Sequence, residues 1–166
     1  MLINRTLISK YSPYPLNYDL TEVMNYVDVA EKIWILPVIG QDLYEELQEQ
    51  VDENKVSDKN AALLTEALYP YLGFAVAFEA LPLTWAEISE TGVQKGKSDN
   101  SDSLTLKEMT YVSDHLRRQV EARKDFLIKW LCERSDHFPL ICGCDCECSS
   151  CCGQNKGKLN HPNKLQ

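Results

Sequence analysis

Cysteine is missing from the first 131 of the 166 residues. No disulfide framework can define the fold, because such frameworks spread their cysteines to close long loops. An excess of positive charge is missing as well. The chain has 17 Lys and Arg against 25 Asp and Glu, a net charge of −8 and a pI near 4.9, which argues against a protein that wraps nucleic acid on a basic face. Long hydrophobic runs are also lacking. The most apolar stretch, residues 71–81, is about half the length of a bilayer-spanning helix. Residues 1–8 have neither the basic n-region nor the apolar core of a signal peptide. The expectation is a soluble chain made in the cytosol, with no membrane partner.

Catalytic signatures are equally scarce. There are three histidines, His115, His137 and His161, and His115 follows Asp114 on a charged face. Residues 92–97 run into a Gly-Lys-Ser sequence, but Thr91 stands where a phosphate loop needs its first glycine. No nucleophile elbow or metalloprotease helix is present. Glu45 and Glu49 sit at helical spacing with nothing apolar around them to raise a carboxyl into the range of a general acid. No catalytic residue is assigned, no cofactor is required, and an enzyme is not expected.

What is present suits a globular protein. Hydrophobic residues make up 44% and charged residues 25% of the chain, and the length fits one domain of roughly 150 residues. The pattern predicts an all-α fold, a bundle of about four helices. Residues 1–18 read as an extended N-terminal arm, residues 19–137 as the helical domain and residues 138–166 as a cysteine-rich tail. In the arm, Pro13 and Pro15 favour extended backbone, which either lies on the domain or grips a neighbour. A first helix spans residues 20–36, with Leu20, Val23, Met24, Val27, Ala30 and Trp34 on one face and Pro37 as its stop. A second follows Gly40, with Leu43, Tyr44 and Leu47 as a thin apolar stripe. Residues 42–58 hold seven acids against one base, Lys55, either a solvated face or a dock for a basic partner. Ser57 or Asp58 opens a third helical segment, with a kink or break expected at Pro70. Beyond it, residues 71–81 are apolar all round, as in a helix at the centre of a bundle, and Gly73 and Ala75 permit close approach. Residues 89–104 form a long polar loop with a short hairpin around Ile88 and Val93. A last helix of about 45 Å, residues 105–134, is longer than so small a domain needs. Trp34, Phe74, Phe78, Trp85, Leu116 and Trp130 are expected in the core. No repeat at a period of 20–50 residues is evident.

The sharpest chemical feature is the cluster Cys142, Cys144, Cys146, Cys148, Cys151 and Cys152. Thiolates so close together can wrap zinc in a tetrahedral sulfur site. Only one Cys-x-x-Cys knuckle is present, Cys148 to Cys151, so reduced thiols and disulfides stay open beside zinc. Tyr11, Tyr14, Pro15, Val93, Phe138, Leu140 and Ile141 form the candidate interface set, since they carry more apolar surface than idle loops need.

Three stretches resemble a known family. Residues 26–32, Tyr-Val-Asp-Val-Ala-Glu-Lys, lead into residues 35–44, Ile-Leu-Pro-Val-Ile-Gly-Gln-Asp-Leu-Tyr. After the apolar helix comes Ile-Ser-Glu-Thr-Gly-Val-Gln at 88–94. Over residues 20–135 this order resembles head–tail connector proteins of crAss-like and related phages of gut Bacteroidales. The cysteine-rich tail is not part of that pattern. The resemblance implies a small all-α adaptor in a ring of about twelve copies. Such a ring sits beneath the portal protein, docks other connector or tail proteins, and lets packaged DNA pass without specific binding. The protein would then be made in the host cytoplasm and act in the virion. The other class in play is a small cytosolic thiol- or zinc-binding regulator.

Overall fold

Asn4 starts the first helix by accepting a hydrogen bond from the Leu7 backbone N–H at 3.0 Å, the usual role of an asparagine N-cap. Helix α1, Arg5–Tyr11, follows, and its Ile8 is fully buried together with Leu2 and Ile3. The expected extended arm is therefore a core element up to Tyr11. The prolines shape only what comes after it, where Ser12 turns to extended backbone. The computed structural model describes residues 1–89, 92–95 and 106–138, with backbone alone at 83–95 and at Leu106.

Helix α2 covers residues 23–39 in four consecutive pieces, a 3-10 turn, an α turn, the π-helical Glu31–Ile35 and a last α turn, Leu36–Ile39. Leu20, Val23, Val27 and Ala30 are buried, with Met24 and Trp34 partly so. Pro37 does not stop this helix. Immediately before it, the Leu36 N–H bonds to the Glu31 carbonyl five residues back, and this widened turn makes room for a ring that would strike the carbonyl four residues back. The chain turns instead at Gly40, whose φ of 79° is open to glycine and strained for other residues. Helix α3, Gln41–Asp52, then buries Leu43, Tyr44 and Leu47.

Helix α4 runs unbroken from residue 58 to 85. Pro70 produces no break, for the same reason as Pro37. The π-helical Leu64–Leu68 precedes it, and the Tyr69 N–H reaches back to the Leu64 carbonyl. Both prolines lie in a local echo, Leu-Pro-Val-Ile-Gly at 36–40 and Tyr-Pro-Tyr-Leu-Gly at 69–73. The apolar helix is thus longer than residues 71–81. Its Asp58–Pro82 portion is long and apolar enough to cross a membrane, yet is mostly buried inside the fold, packed against α1, α2 and the last helix. Gly73 allows the approach of α1, since a Cβ there would lie 2.8 Å from the Tyr11 carbonyl oxygen.

Strands β1, Ala86–Ser89, and β2, Gly92–Lys95, pair antiparallel with Ile88 opposite Val93. Helix α5, Leu106–Cys132, then returns along α4. Polar tips of buried aromatics fasten these helices, as is common for Tyr and Trp. Trp34 donates to Glu79 at 2.8 Å, Tyr71 to the Trp34 carbonyl at 3.0 Å, and Trp130 to Glu66 at 2.9 Å. Leu116 and Trp130 are buried, while Trp34, Phe74 and Phe78 are half-buried against the core. The Trp85 side chain lies outside the described residues.

Candidate interaction surfaces

The polar groups inside the fold act first as anchors. Glu31 is buried, and its carboxylate accepts the Leu2 backbone N–H at 2.6 Å and the Tyr44 hydroxyl at 2.7 Å. Residues 1–11 are held there from one end, and by Gly73 and the Tyr11–Tyr69 ring pair from the other. Burial, and then the Glu31 carboxylate, hold the Tyr44 hydroxyl protonated well above its ordinary range. Burial does the same to Tyr71, helped by Glu121 and Asp125. A second cluster joins α3 to the start of α4. Asn60 is fully buried and donates to Glu46 at 2.8 Å and Gln50 at 3.0 Å, while its Oδ1 and the Ser57 Oγ have no partner among the described residues.

Beside α1 an open groove of about 560 Å³ is lined by Arg5, Thr6, Ser9 and Lys10, with Leu16 and Tyr18 from the following loop. Arg5 closes one side through Asp19 at 2.7 Å and Thr21 at 2.8 Å. The Thr21 hydroxyl and N–H, then Arg5, hold the Asp19 carboxyl below its usual range. Leu16 is 82% exposed.

Helix α5 is the other unusual surface. From residue 107 to 115 no side chain is buried, and the first that is, Leu116, lies a third of the way along. Tyr111 on this length is 69% exposed and Phe126, further along, 51%. Arg117 and Arg118 are exposed as well. Closer to the core, Arg123 stacks on the Phe74 ring at 3.6 Å, where burial lowers its pKa.

The interface residues expected from the sequence divide accordingly. Tyr11 and Tyr14 are half-buried, Tyr11 on Tyr69 and Tyr14 stacked on Tyr18, with burial pushing the Tyr14 hydroxyl up to about 12. Pro15 is exposed. Phe138 is not at the surface. It is 4% exposed and packs on Trp130 in the core, because α5 ends in a turn that folds it back. Val93 has its backbone in β2 and its side chain outside the description. Leu140, Ile141 and Cys142, Cys144, Cys146, Cys148, Cys151 and Cys152 lie outside the described residues. Among the described residues no group of His, Cys, Asp and Glu is placed to hold a metal ion. Sequence reasoning missed Leu16, Tyr111 and Phe126. The signal available for the two aromatics was their position off the buried helical face of α5.

These features define an all-α protein built around one apolar helix, with a hairpin at the end of that helix and a last helix whose first turns bury no side chain fully. The chain belongs to DUF6712, a family of unknown function, whose family model matches residues 35–150. Helix α1 and most of α2, including Glu31, precede the matched region. No curated protein and no solved structure matches the chain.

Proposed function

We propose that this is a structural virion protein that forms a ring in a phage head–tail connector beneath the portal, lengthening the DNA channel and docking tail components. It is not an enzyme and requires no cofactor. Its partners are its own copies, the portal, and flanking connector or tail proteins. Packaged DNA passes the acidic surface without specific binding, since like charge keeps it from sticking. The chain is made in the host cytoplasm and acts in the virion, away from membranes. The observation that carries this reading is the weak burial of the first turns of α5. Residues 107–115 include no fully buried side chain, with only Met109, Val112 and Ser113 half-buried, and a short helical stretch with so little packing is marginal in water. A neighbour in a ring supplies that packing. The order of motifs at 26–44 and 88–94 supports the same reading. Quantitative mass spectrometry of purified particles tests it. The chain is expected in a fixed ratio of the order of one copy per portal subunit, and its absence from particles refutes the reading.

The six cysteines between 142 and 152 support a second reading, a thiol- or zinc-binding regulator of the cytosol. Native mass spectrometry of the reduced full chain distinguishes it. Stoichiometric zinc supports that reading, and metal-free protein removes the zinc part of it.

A further inference from the structure

Resting on the ring reading, we infer that copies join head to tail, with the exposed face of the N-terminal half of α5 on one copy docking against the acidic face of α3 on the next. The docking surface is centred on Tyr111 and Arg118, which lie seven residues and about 10 Å apart on one face of the helix, with Arg117 on its flank. Both arginines are exposed, and among the described residues neither has a carboxylate partner. Exposed aromatics next to unpaired arginines are the side chains most enriched at the centres of protein interfaces.

The occupant is chosen by charge and by position. On α3, Asp42, Glu45, Glu49 and Asp52 are exposed at spacings of three, four and three residues, which places them along one helical stripe of about 15 Å. None of the four pairs with a cation among the described residues, whereas the neighbouring Glu46 and Glu53 do. Arginine suits such a row, because its planar fork meets a carboxylate through two parallel hydrogen bonds.

Among the described residues no ion pair joins the two surfaces within one chain. Glu46 of α3 lies near the place where α5 finishes, since Lys59 is 3.6 Å from Glu46 and 5.8 Å from the Phe138 ring. Tyr111 and Arg118 are 21 and 14 residues before Cys132, about 32 and 21 Å up the helix. Complementary patches on two different surfaces of one subunit make a heterologous contact, which closes into a ring or runs on as a filament. The same separation leaves each assembled copy with one patch of each kind engaged.

Charge reversal with rescue tests the docking. The full chain is followed by sedimentation at low salt, with thermal melts confirming that each variant is folded. Arg117→Glu with Arg118→Glu, and separately Glu45→Arg with Glu49→Arg, are each expected to weaken self-association at least about tenfold. An equimolar mixture of the two variants, or all four changes in one chain, is expected to restore it. Wild-type association that survives both reversals overturns the docking and leaves the ring reading standing. Wild type that stays monomeric up to millimolar concentration also overturns the docking. The ring reading itself falls only if the chain is missing from particles.

Discussion

Glu31 holds two donors from different parts of the chain, the Leu2 amide and the Tyr44 hydroxyl. A hydrogen bond to a charged group contributes about 1.5–3 kcal/mol, so Glu31→Ala should lower unfolding free energy in urea by at least about 2 kcal/mol. Glu31→Gln, which keeps the shape, should cost less. Gly73→Ala should cost about 1–3 kcal/mol, the range for forcing atoms into a packed contact, because the new methyl meets Tyr11 backbone rather than a movable side chain. Tyr14, Tyr44 and Tyr71 hold their protons more tightly in the folded chain than at the ordinary value of 10. Below pH 10 both states are protonated and their contribution is complete. Above it the unfolded chain releases protons first, so stability falls as pH rises from 10 through about 12, the Tyr14 value. Melting temperatures measured from pH 8 to 12 should drop steeply above pH 10. Tyr44→Phe should melt lower at neutral pH and fall less steeply in alkali.

At the scale of elements, periodicity made α3, α5 and the apolar middle of α4 legible, because each buries one stripe or all of its surface. Proline was read too literally. The rule that it breaks a helix interior assumes an α turn behind it, whereas Pro37 and Pro70 each follow a π turn that moves the obstructing carbonyl. Helix α1 escaped notice because seven residues are too few for a periodic signal, and the nearby prolines dominated the pattern. Its core role carries a prediction against the arm reading. Ile8→Ala should cost about 2–5 kcal/mol, and removing residues 1–11 should lower the melting temperature, not merely loosen assembly. Phe138 was misplaced for a related reason. It lies past the end of α5, where the helical period no longer says which way a side chain faces. The exposed aromatics of α5 were legible as positions but not as a surface, since only the packed structure shows where the core ends beneath them.

For the molecule as a whole, one apolar helix is packed against α1, α2 and α5, while the acidic stripe of α3 is exposed and the first turns of α5 bury no side chain fully. On the proposed ring reading, the weakly buried first turns of α5 complete their packing on a neighbour. High salt should therefore weaken self-association, because a row of carboxylates facing arginines is screened within about 10 Å at 0.1 M. A cryo-electron-microscopy map of the connector region of particles carrying this chain tests the central claim most directly. The five-helix fold is expected in a closed ring below the portal, with Arg117 and Arg118 of each copy against α3 of the next. A connector map at side-chain resolution with no density for this fold would contradict it.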